Sequence, residues 1–195
     1  IDVAYEGTTI PSQTMYVEYG GLMPYIDAIT AAGMTLSTTA DVEAGQALIE
    51  SKGWAIGSSG FYEKDGATLA IEIQTHDAFI EKQRIAAVVV EQLREAGIDA
   101  TTRNVAGGTW DDNKRFANYS AVMDWDACGS INEPWASLNR YTNRFYKPVG
   151  EAVNGGNNHV RWQGEANDAY SALVEQIGVL PLGDPQIQEL VVEAY

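Results

Sequence analysis

Residues 69–105 read LAIEIQTHDAFIEKQRIAAVVVEQLREAGIDATTRNV, and their hydrophobic period changes twice. At first it is two: Leu69, Ile71 and Ile73 fall on one side of an extended chain, Ala70, Glu72 and Gln74 on the other, as in a strand. From Asp77 the period lengthens. Phe79, Ala86, Val90 and Leu93 share one stripe of a helix predicted over 77–96, and Gly97 stands where a helix closes on a left-handed residue. GIDATTRNV, residues 97–105, returns to strand. A strand, a helix that must lie on the sheet and a second strand make a βαβ unit, whose strands are expected to be parallel.

The flanks extend the same α/β pattern. GTWDDNKRFANY reads as a short helix starting near Thr109, and SAVMDW as a further buried strand that runs into the loop DWDACGSINEPWASL, residues 124–138. In open α/β sheets ligands gather beyond the carboxyl ends of strands, so this loop is well placed for binding. On the N-terminal side, a helix is predicted over 41–52, capped by Thr39 and stopped at Gly53. Asp65-Gly66 then turns a short Phe61-Tyr62 strand into the longer one. Residues 1–40, with Pro11, Pro24, Gly20-Gly21 and four tyrosines in residues 5–25, show no helical period and read as an extended arm. Beyond Asn139 the pattern weakens into an irregular stretch. GEANDAYSALVEQIG reads as a helix, and GDPQIQELVVEAY begins another, with Asp184 as N-cap and Pro185 in the first helical position. The last helix is cut short at Tyr195, which suggests a fragment.

Length and composition narrow the classes. The 195 residues suit one domain or a large lobe of something bigger. With 45% hydrophobic and 20% charged residues, the chain belongs with soluble globular proteins. No apolar run reaches the roughly 18 residues that span a bilayer. Twenty-seven acids against 12 bases give a formal charge of -15, a field that repels phosphate backbones, so nucleic acid is not an expected partner. Cys128 has no second cysteine to pair with, and with His76 and His159 it makes a poor soft-ligand set; neither a metal nor a cofactor is expected. The chain begins at Ile1 without a leader, so a signal peptide is expected to have been removed or to lie outside this sequence.

Five segments taken in order, DVEAGQALIESKGW, GFYEKDGATLAIEIQT, RIAAVVVEQLREAGIDATTRNV, TWDDNKRFANYSAVMDW and NEPW, resemble the solute-binding proteins of ABC importers in the peptide/nickel family, family 5. The similarity covers roughly residues 10–195. It implies a periplasmic-binding-protein type II-like lobe, with βαβ units and a mixed sheet flanked by helices. Residues 1–40 would be the inter-lobe arm and 41–195 the C-terminal lobe, with the N-terminal lobe and a final return strand absent. It also implies a Venus-flytrap receptor that captures a solute outside the cytoplasmic membrane, delivers it to permease subunits and carries out no catalysis.

Sugar recognition needs flat apolar faces for pyranose rings, and amides or carboxylates for hydroxyls. Trp125, Asp126, Ser130, Asn132 and Trp135 supply such groups in the strand-end loop, and Arg161 and Trp162 could face the same ligand. Each has a structural alternative. Trp125 and Trp135 could pack in the core, and Arg161 could tie down its irregular loop. Asn132 and Glu133 could bond loop backbone, the favoured role for Glu133. Peptide-binding members of the family carry an aspartate two residues ahead of Asn-Glu-Pro, which holds the ligand's α-amino group. Here that position is Ser130. The departure favours an oligosaccharide over a peptide ligand.

The rival class is a glycoside hydrolase using Asp126 and Glu133, a pair that needs a carboxylate separation of about 5 Å or about 6.5–9.5 Å. Elsewhere, Asp77 reads as a helix N-cap rather than as half of a dyad with His76, and Asp111 and Asp112 as first-turn acids of their helix. Cys128 reads as filler in a small loop, and Met15, Met23 and Met34 as packing residues. Tyr16, Tyr19 and Tyr25 could reach a ligand from the arm.

Overall fold

The computed structural model describes residues 19–34, 39–124, 130–154 and 157–195. These fall into two compact units. The first holds residues 39–114 and 118–124; the second holds the described parts of 12–38 and 126–195, together with 115–117.

Helix α1 (Met23–Ala31) belongs to the second unit; in the first, α2 spans Val42–Ser51. Its cap is Asp41, whose carboxylate accepts the Ala44 N–H at 2.9 Å, and not Thr39. Strands β1 (Ala55–Ile56), β2 (Tyr62–Lys64) and β3 (Ala67–Thr68) form an antiparallel sheet turned at Asp65-Gly66, where both residues take positive φ. The predicted long strand is broken at Leu69. Its N–H donates to Tyr62 O of the small sheet, while its C=O accepts the Asp99 N–H of the large one. One residue therefore joins two sheets, which period alone could not reveal.

Strand β4 (Ala70–His76) is the middle of the second sheet, in the order β5-β4-β6. It runs parallel to β5 (Asp99–Val105) from Ala70↔Asp99 to His76↔Val105, and parallel to β6 (Ala121–Val122) at Ile73↔Ala121 and Gln74↔Val122. Helix α3 (Ile80–Glu95) connects β4 to β5, and α4 (Gly107–Phe116) leads from β5 toward β6. The expected βαβ unit is present, and with β1–β3 it makes a mixed α/β structure.

Helix α3 begins three residues later than predicted. Asp77 is not its N-cap: Asp77 and Ala78 form a turn, Phe79 holds the cap position without a side-chain bond, and Gln83 Nε2 donates to the carbonyls of His76 and Asp77. At the other end the Gly97 N–H donates to Arg94 O and the Ile98 N–H to Leu93 O, with Gly97 at φ +92°. These are the paired bonds that close a helix on a left-handed glycine. Helix α4 starts at Gly107, so Asp111 and Asp112 lie past its first turn.

The second unit corrects the reading of residues 1–40. Met23–Ala31 is a helix, α1, with Pro24 in its first turn, where the missing N–H costs nothing. Leu22, Tyr25, Ile26 and Ile29 recur at helical spacing and are buried. They pack with α6 (Glu165–Val179) and α7 (Gln186–Ala194), through Tyr170, Val174 and Ile177 of the first and Ile187, Leu190 and Val191 of the second. The N-cap is Pro185 and not Asp184, so the helix starts one residue later than predicted; Asp184, one residue ahead of the cap, accepts the Gln186 N–H at 2.9 Å. Helix α5, Trp135–Leu138, is a single turn followed by two short 3-10 turns.

A Cβ added at Gly97 would stand 2.8 Å from Ile56 Cδ1 and 3.1 Å from the Tyr62 ring, in a left-handed backbone. Gly97→Ala should therefore lower the stability of the first unit by about 1–3 kcal/mol, read as a lower urea midpoint. An unchanged midpoint would contradict this account of the helix end.

Candidate functional site

The stretch 130–138 belongs to the second unit, and its backbone is held by its own side chains. Ser130 Oγ accepts the Asn132 N–H at 3.2 Å, and Glu133 Oε1 accepts the Ala136 N–H at 3.4 Å. Pro134 is buried at the N-cap of α5. Glu133 thus has the backbone-bonding role its position suggested. After burial, its charge is the second cause that pushes the Tyr25 phenol above its ordinary value.

Gly21 explains how the loop meets α1. A Cβ there would lie 2.6 Å from Ile131 O and 2.7 Å from Asn132 Cα, so only glycine lets these two backbones approach. The Asn132 residue remains exposed. Tyr25 is in the core, while Tyr19 is exposed.

Trp135 opens α5 and is half-buried against the helical core. Its indole edge lies on Gly178 of α6, where a Cβ would be 2.5 Å from Nε1, and the Arg144 guanidinium sits 5.7 Å from the ring centroid. Beside it is an open notch of about 140 Å³, lined by Glu133, Pro134, Trp135, Ile177, Leu180 and Ile187 among others. Helix α5 is pinned at its far end, where Tyr170 Oη donates to Leu138 O at 2.7 Å.

Arg161 and Trp162 are engaged locally. Arg161, at φ +58°, donates from Nη2 to the carbonyls of Arg115 at 2.6 Å and Glu151 at 2.9 Å. It is the tie of the irregular loop that was one of its two readings. The Trp162 ring stacks at a tilt on Tyr170, 4.8 Å between centroids, and its backbone exchanges two bonds with the side chain of fully buried Asn158. Of the predicted ligand residues, Ser130 and Asn132 are joined by a hydrogen bond, and Trp135 follows in the same short stretch. Trp125 and Asp126 lie outside the described residues, as does Cys128, so the carboxylate pair of the hydrolase reading has no measured separation.

The first unit carries further polar groups. His76 ends β4 with its ring edge-on to Phe79 and Trp110, at 4.4 and 5.5 Å, and its Nε2 against Gly107, where a Cβ would be 2.6 Å away. Its Nδ1 accepts the Ala78 N–H at 3.0 Å and lies 3.2 Å from Asp77 Oδ1. This is a packed histidine rather than a dyad. More unexpected are two buried lysines. Lys82 of α3 is 5% exposed and Lys114 of α4 is 9% exposed. Lys114 Nζ bonds Asp124 Oδ2 at 2.9 Å and lies 3.4 Å from the Trp110 ring centroid. Burial lowers the Lys82 pKa, partly offset by Asp124 and Glu81. The signal for Lys82 was its place in the apolar stripe, three residues after Phe79 and four before Ala86.

No family model matches the sequence, and no curated protein matches it by sequence. Solved structures do match. A periplasmic oligopeptide-binding protein of an ABC transporter from Thermotoga maritima, with mannohexaose bound, matches 99% of the chain with a TM-score of 0.79 at 14% identity. NikA from Brucella suis, in complex with Fe(III)-EDTA, matches 99% at 0.71 and 19% identity. The oligopeptide-binding protein AppA from Bacillus subtilis, with a nonapeptide, matches 82% at 0.59 and 17% identity. The chain has the fold of an ABC-transporter binding-protein lobe. It spans about a third of each matched structure: 35%, 36% and 31% of their lengths. Among the described residues of this chain no helix is long and apolar enough to cross a membrane.

Two measurements test this geometry. Gly21→Ala should cost about 1–3 kcal/mol in urea unfolding through the backbone clash. Gly20→Ala, whose Cβ would meet nothing within 4 Å, should stay within about 0.5 kcal/mol of the parent. Equal losses would contradict the close approach. Burial raises the Tyr170 pKa above its ordinary 10.0. Its stabilisation is therefore complete below pH 10 and declines above it, as the phenol ionises first in the unfolded chain. Tyr170→Phe should flatten that part of the stability–pH curve.

Proposed function

We propose that residues 41–195 are the C-terminal lobe of a family 5 solute-binding protein, with residues 1–40 as the segment between lobes. The protein would capture a solute outside the cytoplasmic membrane between two lobes and deliver it to the permease of an ABC importer, without catalysis. The observation that carries this reading is the match of 99% of the chain, at a TM-score of 0.79, to one part of a binding protein.

The preferred ligand is an oligosaccharide. Where peptide receptors of the family place an aspartate, Ser130 offers only a hydroxyl already used by the Asn132 N–H, and no charge to hold an α-amino group. Asn132 and the edge of Trp135 supply an amide and an aromatic surface in the same short stretch. That one matched structure holds mannohexaose agrees with this choice. The second reading, an oligopeptide ligand, has its own support in the nonapeptide held by AppA.

Thermal unfolding of the full-length protein distinguishes them. Manno-, cello- and xylo-oligosaccharides are compared with di- to pentapeptides, each at increasing concentration. A true ligand at about 100 times its dissociation constant adds about 2.7 kcal/mol of stability. Stabilisation by an oligosaccharide alone is expected; stabilisation by peptides alone would overturn the ligand choice. Release of shorter sugars on incubation would overturn the non-enzymatic reading.

A further inference from the structure

Gly178 is the next-to-last residue of α6 and does not take the positive φ that accounts for Gly97, Gly164 and Gly183. An alanine would serve the helix better there, since glycine loses more backbone freedom on folding and weakens a helix. The reason for glycine lies instead in what packs against it. A Cβ at this position would stand 2.5 Å from Trp135 Nε1, 3.0 Å from Cδ1 and 3.1 Å from Cε2, all in the five-membered ring of the indole. None of the three is a backbone atom. A methyl group at 178 therefore meets a side chain that can turn, and the ring is what must give way.

The other neighbours define where that ring lies. Helix α5, which Trp135 opens, is pinned by the bond from Tyr170 Oη to Leu138 O at 2.7 Å. The Arg144 guanidinium lies 5.7 Å from the indole centroid and 4.6 Å from the Phe145 centroid, one cation shared by two aromatic rings. Trp135 is only half-buried, and with Gly178, Leu180 and Ile187 it lines the open notch. We infer that Gly178 is a positioning residue: its missing side chain seats the Trp135 indole against α6 and so sets the aromatic surface that the ring offers to a ligand. The step to the ligand rests on the solute-binding reading proposed above. The seat of the ring does not.

The test uses the full-length protein labelled with 5-fluorotryptophan, in which the Trp135 fluorine resonance is assigned by its loss in Trp135→Phe. In Gly178→Ala that resonance should shift, while that of Trp54 in the first unit, assigned by Trp54→Phe, stays in place. Affinity is measured for mannohexaose, cellohexaose and xylohexaose. Gly178→Ala should bind the tightest of the three about tenfold more weakly than the parent, because a contact surface has been displaced. A double-mutant cycle separates the ring from helix propensity. In Trp135→Ala, where no indole meets the new methyl group, Gly178→Ala should raise the urea midpoint; with Trp135 present it should not.

A Trp135 resonance that does not move, or an equal gain in midpoint in both backgrounds, would overturn the seat. A shifted resonance with unchanged affinity for a sugar that the parent binds would overturn the step to the ligand. If the parent binds none of the three sugars, the oligosaccharide reading fails, while the fluorine resonance still decides the seat. If Trp135→Ala does not fold, the resonance in Gly178→Ala decides it alone.

Discussion

Strand β4 gives up both edges to hydrogen bonds, to β5 along its whole length and to β6 at its middle. Three consecutive residues, Ile73, Gln74 and Thr75, are also buried, so both of its faces are covered there. A strand closed on four sides leaves its neighbours little freedom. The helix after it must cross over to reach β5, and the chain must return through α4 to the other edge. Because all three strands are parallel, their carboxyl ends collect at one edge of the sheet. The polar groups of the first unit concentrate at that edge.

They do so in a connected way. Asn113 Nδ2 donates to Gln74 Oε1 at 2.7 Å, Gln74 Nε2 to Asn118 O at 3.2 Å, and Asn118 Nδ2 to Asn113 Oδ1 at 3.1 Å. Thr75 bonds Asn104, and Lys114 bonds Asp124. An interior of this kind is stable only when its members are satisfied, because each lost partner exposes the desolvation cost of the other. Its gain is directional: amides and ion pairs specify orientation in a way that methyl groups do not.

The second unit relies on different means. Its helices pack through aliphatic side chains, and its irregular stretch is tied down by buried polar residues. Asn167 Nδ2 donates to Tyr141 O, the Asn143 N–H donates to Ser171 Oγ, and Asn158 brackets Trp162. Backbone without a ladder needs such partners if it is to be buried. Arg161 serves the same end. Trp162 also belongs to this packing, and Trp135 shares its indole edge with Gly178. Aromatic residues abundant enough to suggest a sugar platform are thus in part structural.

The sequence by itself determined the periodic parts. The alternation at 69–74, the stripe from Phe79 to Leu93, the glycine after it and the acid before the last helix were all legible, because period and capping are local properties of the chain. Local signals also misled. Pro24 and Gly20-Gly21 read as arm, although one opens α1 and the other admits the 130–138 stretch to its side. Asp77 looked like a cap in a segment where the turn before α3 spends its neighbours' bonds differently. Only the tertiary structure decided that β4 lies between β5 and β6, that Leu69 joins two sheets, that Lys82 in an apolar stripe is buried, and that Arg161 is held by carbonyls. Each depends on groups tens of residues apart meeting within a few ångströms, and no local pattern of hydrophobicity records which distant partner a side chain will meet.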